Sequence, residues 1–210
     1  MKKGLFIVLD SGEGGGKGTQ IKLLAKKLGE AAIITREPGG SPYAEEIRKI
    51  IKESPNAKQA NSETLFSLFW AARADHLKNT IIPALKAGKI VISDRFDAST
   101  YGYQIVGEKN KKLEQLFWLM RKLVVGKYVP DLYIYLDIKP EIGLARKTSQ
   151  GAGEVAHFEE RELAFHRRMR RGYRQFFKSV PHAIINANQP VELVECDIAE
   201  AFKKHLGLYF

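Results

Sequence analysis

The sequence predicts an α/β fold built on one five-stranded parallel sheet, with helices packed on both faces. Two features of the chain carry that prediction. Short apolar runs of β type recur along it, and a longer helical pattern separates each run from the next. Buried runs that alternate with helices need a parallel sheet covered on both sides. Between the first run and the first helix stands the segment Asp10-Ser11-Gly12-Glu13-Gly14-Gly15-Gly16-Lys17-Gly18-Thr19-Gln20. Strand, glycine loop, lysine and helix in that order wrap backbone amides around a polyphosphate.

The elements follow in order. Leu5–Leu9 is an unbroken apolar run and reads as the first strand, and Ile21-Lys22-Leu23-Leu24 marks an amphipathic helix over Lys17–Leu28. Further strands are read at Ala32–Thr35, Ile90–Ser93, Leu132–Leu136 and Ala183–Ile185. Helical patterns fill the intervals at Pro42–Lys52, Ser62–Lys86, Ala98–Val106, Lys111–Val125, Pro140–Arg146, Phe158–Lys178 and Pro190–Leu206. Thr148–Glu154 is the most loop-like interior stretch. Between two helices of a phosphate-transfer fold it reads as a short closing lid over residues 147–157, with an ordinary surface connection as the alternative. No linker or repeat divides the chain, so residues 1–210 are one domain.

Composition narrows the function classes. An apolar content of 44% excludes a largely disordered chain. No run of about 18 apolar residues exists, and Met1-Lys2-Lys3 leads into a short strand, so neither a membrane span nor a secretory signal is expected. The single Cys196 excludes an internal disulfide framework and fits a reducing cytoplasm. The net charge of +10 is concentrated in Arg161, Arg167, Arg168, Arg170, Arg171 and Arg174 on one predicted helix. A solvated helical face, steering of anionic nucleotides and a nucleic-acid surface are its three readings. No zinc-finger spacing or RNA-binding aromatic motif supports the last, and no nucleic-acid partner is expected.

The glycine loop places the chain among P-loop NTPase-type folds. It departs from the G-x-x-x-x-G-K-[ST] pattern in two places: Ser11 stands where the first glycine belongs, and Gly18 stands where a metal-binding hydroxyl belongs. Gly-Lys-Gly-Thr-Gln resembles the loop of adenylate kinases, where water fills the metal position. Ser11, Gly12, Gly14, Gly15, Gly16, Lys17, Gly18 and Thr19 are therefore read as the cradle of a nucleoside triphosphate, ATP.

Ligands of open parallel sheets collect at the carboxyl ends of the strands. After the second strand come Thr35-Arg36-Glu37-Pro38-Gly39-Gly40, a sharp bend that brings Arg36 and Glu37 into the cleft. After the third come Asp94, placed to hold Mg²⁺ through water, and Arg95, able to fork onto a phosphate. Phe69 and Arg73 lie four apart on one helix, so a ring and a guanidinium can meet the same planar ligand, although the helix taken alone reads as a core phenylalanine and an ion-paired arginine.

Together with Ser99-Thr100, Tyr103-Gln104 and Pro130-Asp131-Leu132, these motifs resemble bacterial thymidylate kinases from about residue 4 to the Asn186–Pro190 turn. The resemblance implies that Phe69 stacks on thymine and Arg73 bonds its O4, with Thr100 and Gln104 on the rest of the pyrimidine edge. Tyr103 would pack where a ribose 2′-hydroxyl sits. Arg48 and Arg95 would hold the 5′-phosphate of dTMP, Arg36 and Glu37 would shape that wall, and Asn188 and Gln189 would lie against adenine. A cis Glu37–Pro38 bond is expected in the turn.

The implied reaction moves the γ-phosphoryl of ATP to dTMP, giving dTDP and ADP. Lys17 follows the β- and γ-phosphates, Arg95 aligns the acceptor, and Glu13 orients the acceptor or the metal shell. Relatives without a loop arginine supply one from the lid near Asp-Arg-[Ile/Phe]-Glu, but this chain has Ala156-His157-Phe158-Glu159 there. Arg146, Lys147 and His157 are the remaining nearby cations, with Arg146 the first substitute and His157 a weaker one, so a working enzyme is expected, with reduced rate as an open outcome. Another nucleoside monophosphate kinase and a catalytically weakened nucleotide-binding protein stay open as alternatives. Apolar residues at 62–86 and 113–123 suggest a homodimer contact, with a monomer that buries them as the alternative.

Overall fold

A computed structural model describes residues 4–149 and 161–209. Five strands, β1 (Leu5–Ser11), β2 (Ala32–Arg36), β3 (Ile90–Asp94), β4 (Leu132–Asp137) and β5 (His182–Asn186), form one parallel sheet in the order β2-β3-β1-β4-β5. Register pairs Leu9 and Arg36 with Asp94, Ser11 with Leu136, and Asp137 with Asn186. The polar residues at the strand ends therefore emerge along one edge of the sheet.

The helices are α1 (Lys17–Leu28), α2 (Pro42–Glu53), α3 (Ser62–His76), α4 (Ile82–Lys86), α5 (Asp97–Thr100), α6 (Leu113–Met120), α7 (Pro140–Ser149), α8 (Leu163–Phe176) and α9 (Val191–Leu206). Alternation along β1 sends its side chains to two cores. Phe6 and Val8 pack with Phe117, Tyr133, Tyr135, Tyr173 and Phe176, while Ile7 and Leu9 pack with Ile21, Leu24, Ile92, Ile198 and Phe202.

Three departures from the sequence reading have physical causes. β1 runs on through Asp10 and Ser11, which pair with Tyr135 and Leu136; the Asp10 carboxylate is tolerated inside because Ser99 and Tyr173 donate to it. The helix read at Ser62–Lys86 holds a π-helical turn at Leu77–Ile81, where the Ile82 N–H bonds the Leu77 carbonyl. Pro83 lacks an N–H and crowds the carbonyl four residues back, and the wider turn absorbs both effects. Helix α7 continues to Ser149, so Lys147–Ser149, assigned to the lid, are helical. The rest of that lid, with Ala156 and His157, lies outside the described residues, and α8 begins at Leu163 rather than Phe158.

Helix α5 continues as a π-helical segment over Tyr101–Gly107. It approaches α8 closely enough that a β-carbon on Gly172 would lie 3.0 Å from Gly102 Cα and 2.8 Å from Val106 Cβ. Backbone contact at this crossing sets the Tyr173 hydroxyl beside Ser99.

Candidate active site

The loop between β1 and α1 is shaped by its glycines. Gly14 and Gly16 sit at φ +66° and +80°, the left-handed region that costs a glycine nothing. Gly16 caps α1, so the helix begins at Lys17 with its N-terminal amides turned to the sheet edge. Lys17 Nζ lies 3.7 Å from Asp94 Oδ1 at the tip of β3. A β-carbon on Gly18 would meet nothing within 4 Å, and Thr19 beside it is exposed. Among the described residues no three His, Cys, Asp or Glu side chains gather into a metal cage. Asp94 is instead one carboxylate beside a phosphate loop, a donor set that suits Mg²⁺ held mainly by phosphate oxygens and water.

Arg95 is the hub of the site. Its backbone is left-handed at φ +70°, and its N–H bonds the Leu9 carbonyl at 2.9 Å. Arg95 Nη1 donates to Ser11 O at 3.2 Å, Ser99 Oγ at 3.2 Å and Tyr173 OH at 3.1 Å, and Nη2 donates to Glu13 Oε1 at 3.3 Å. Tyr103 OH donates to the same Glu13 oxygen at 2.6 Å. Burial pushes the Glu13 carboxyl up, but Arg95, Lys17, Tyr103 and Lys147 together outweigh it and hold the group below the usual glutamate range.

Asp10 lies beneath Arg95 and is fully buried. Its Oδ1 accepts from Ser99 Oγ at 2.7 Å and Tyr173 OH at 2.9 Å, while Oδ2 has no partner among the described residues. Burial raises this carboxyl to about 6, against the lowering pull of Arg95, Ser99, Lys17 and Tyr173.

A cavity of about 180 Å³ opens beside the hub. Arg36, Glu37, Arg48, Phe69, Arg73, Arg95, Thr100, Tyr103 and Gln104 line it together with Glu13 and Asp94. Arg73 is 1% exposed and pairs with Glu37 at 2.8 Å. Arg48 Nη1 donates to Pro38 O at 2.7 Å, and the Glu37–Pro38 bond is cis. Arg36 pairs with Glu45 at the exposed rim.

The far end of the loop is a separate cluster. Asn188 binds Asn186 Oδ1 through its backbone and side-chain N–H groups, and the Lys139 N–H donates to Asn188 Oδ1. Gln189 turns away, donating to Asp197 of α9 at 2.6 Å. Arg146 Nη1 donates to Ala187 O at 2.8 Å, which ties its guanidinium to this turn rather than to Lys17 and Arg95.

A family model described as "Thymidylate kinase" matches residues 9–198, nearly the whole chain. The chain belongs to the thymidylate kinase family. It is 41% identical over 210 residues to the thymidylate kinase of Rhodopseudomonas palustris strain BisB18, covering 97% of this chain and 90% of that protein. With the thymidylate kinase of Ruegeria pomeroyi it shares 42% identity, covering 97% of both chains. The crystal structure of thymidylate kinase from Ehrlichia chaffeensis superposes with a TM-score of 0.75 at 25% identity, over 96% of this chain and 99% of that one.

Within this thymidylate kinase fold, sequence reasoning gave no role to Asp10, Ser99, Tyr173, Thr35 or His76. A carboxylate closing an otherwise apolar strand was a readable signal for Asp10. His76 lies three residues after Arg73 on α3, on the same face. Nothing in the local pattern around Tyr173 distinguished it from core aromatics.

Proposed function

We propose that the chain transfers the γ-phosphoryl group of ATP to the 5′-phosphate of dTMP, giving dTDP and ADP. The observation that carries this reading is the position of Arg95. One guanidinium both lines the acceptor cavity and donates to Ser11 O and Glu13 of the phosphate loop. A phosphate held there faces the donor loop across the width of a single side chain.

The acceptor phosphate is anionic near neutral pH, so the site has positioning and charge stabilisation to perform rather than proton abstraction. Lys17 and the loop amides carry the donor's β- and γ-phosphates. Arg95 and Arg48 hold the acceptor phosphate in line, and Phe69 and Arg73 hold its base. Glu13 keeps Arg95 and Tyr103 in place, with Tyr103 against the deoxyribose. Mg²⁺, near Asp94, would neutralise charge on the donor phosphates. Asn188 and Arg146 serve the base end of ATP.

Leu116, Leu119 and Leu123 stand exposed on α6 and the turn after it, and α6 packs against α3 through Trp70 and Phe117. These leucines support a homodimer, checked by sedimentation. Of the arginines read onto one helix, Arg161 lies before α8 and pairs with Glu108, Arg167 and Arg170 of α8 pair with Glu141 and Asp137, and Arg168 donates to Gly107 O. Those internal pairings favour a nucleotide enzyme over a nucleic-acid surface. No helix among the described residues is long and apolar enough to cross a membrane, and a cytoplasmic setting suits the substrates.

A coupled ADP-release assay with ATP and AMP, CMP, UMP, dUMP and dTMP tests the proposal. Turnover fastest with dTMP is the expected result. Preference for another monophosphate would make the chain a different nucleoside monophosphate kinase, and tight dTMP binding without dTDP would make it a binding protein.

A further inference from the structure

Behind the acceptor cavity, polar side chains from β2, the turn after it and α3 form one buried chain. Thr35 Oγ1 lies 2.7 Å from His76 Nε2, and His76 Nδ1 lies 3.1 Å from Glu37 Oε1. Glu37 Oε2 accepts from Arg73 Nε at 2.9 Å and from Nη2 at 2.8 Å. Arg73 Nη2 also donates to Thr100 Oγ1 at 3.1 Å. Arg73 Nη1 is left buried with no partner among the described residues, on a side chain that lines the cavity. A buried guanidinium N–H without an acceptor is costly, so it is a donor reserved for a ligand.

His76 fixes the carboxylate that holds Arg73. A carboxylate oxygen only accepts, so the ring nitrogen facing Glu37 Oε1 carries hydrogen and donates. That bond satisfies Oε1, and Glu37 meets Arg73 through Oε2 alone. Without it, Oε1 is a buried oxygen in need of a donor. The carboxylate then rotates toward another one, and the guanidinium it holds through Nε and Nη2 turns with it, so Nη1 loses its place at the cavity. The ring is also clamped: a β-carbon on Gly40 would lie 2.4 Å from His76 Nε2 and 2.5 Å from Thr35 Oγ1.

We infer that His76 is a positioning residue for base selectivity, acting through Glu37 to hold Arg73 Nη1 in place for a carbonyl on the pyrimidine edge. A 4-oxo pyrimidine offers Nη1 an acceptor. A 4-amino pyrimidine sets donor against donor and leaves both unpaired, which is how a polar site rejects a near-isostere. This inference rests on the dTMP reading of the cavity.

The test is calorimetric binding of dTMP and dCMP, without ATP, to the wild type and to His76→Asn, His76→Gln and His76→Leu. The Asn side-chain amide reaches the place of Nδ1 and still donates to Glu37, whereas Gln reaches past it and Leu offers nothing. His76→Gln and His76→Leu are expected to weaken dTMP about tenfold or more and dCMP much less, narrowing the preference. His76→Asn keeps it, and KM for dTMP rises in the two defective variants while KM for ATP stays unchanged. Parallel weakening of both ligands, an unchanged preference, or His76→Asn behaving like His76→Gln overturns the inference. If His76→Leu does not fold, the Asn and Gln pair decides alone. A wild type with no preference for dTMP would refute the functional reading instead.

Discussion

A β-carbon on Gly14 would lie 2.0 Å from the carbonyl oxygen of Gly143, and one on Gly143 would lie 2.1 Å from that of Glu13. The phosphate loop and α7 thus touch backbone to backbone, with no side chain between them to yield. The place of Glu13 and Gly14 over the sheet edge is set by that contact. Gly143→Ala must push the loop off the helix. It should cost about 1–3 kcal/mol of stability and lower kcat about tenfold or more through displaced loop amides, with KM for dTMP little changed. Wild-type turnover from Gly143→Ala would show that the loop tolerates the shift.

Arg95 reaches Ser11, Ser99, Tyr173 and Glu13 from two nitrogens. A lysine ammonium is a point charge and does not reproduce that planar set. Arg95→Lys should therefore lower kcat/KM for dTMP by about 10²–10³ while ATP binding, measured by calorimetry, stays near wild type. Equal loss of ATP binding would mean that Arg95 supports the loop rather than the acceptor.

Asp10 couples stability to pH in a direction opposite to most carboxylates. Its folded value of about 6 exceeds the ordinary 3.8, so between those values the folded protein holds a proton that the unfolded chain has lost. The group's contribution is most favourable below 3.8 and falls as pH rises through 6, by about 3 kcal/mol in all. Asp10→Asn lacks that dependence. Urea unfolding of both proteins from pH 3.5 to 7.5 should show the variant gaining on the wild type by about that amount, the difference levelling off above about pH 7. Activity should fall in the same variant, because an amide nitrogen in place of Oδ2 brings a buried donor with no acceptor.

The sheet, its order of elements and the phosphate loop were legible because they rest on local pattern: apolar runs, helical period and glycine spacing. The lining of the acceptor cavity was legible only as a resemblance, since Phe69 and Arg73 taken alone read as core and ion pair. The partners of Asp10, Tyr173 and His76 were not legible. Asp10 meets Tyr173 across 163 positions and Glu37 meets His76 across 39, and no local pattern announces such a partner. The π-helical turns escaped for a similar reason. Only the one before Pro83 had a sequence cause, and Tyr101–Gly107 owes its course to its packing against α8 at Gly102 and Gly172.

Gly18 leaves open space where a hydroxyl belongs in most phosphate loops. Gly18→Thr adds that ligand without a clash and raises helix propensity near the start of α1. The Mg²⁺ concentration giving half-maximal turnover should fall several-fold, with kcat at saturating Mg²⁺ changed less. An unchanged Mg²⁺ requirement would mean that the space over Gly18 does not face the metal.

Arg146 and Lys147 are neighbours on α7 but face different parts of the site. Arg146 is held by the Ala187 carbonyl at the base-side turn. Lys147 lies four residues after Gly143, on the helix face pressed against Glu13 and Gly14, and its charge helps to hold the Glu13 carboxyl down. Arg146→Ala should therefore raise KM for ATP with kcat close to wild type. Lys147→Ala should lower kcat about tenfold or more at saturating substrates, and Lys147→Arg should restore it, as a charge acting on the transferring phosphoryl requires. A kcat loss confined to Arg146→Ala would reverse the assignment and place the stabilising charge on the arginine.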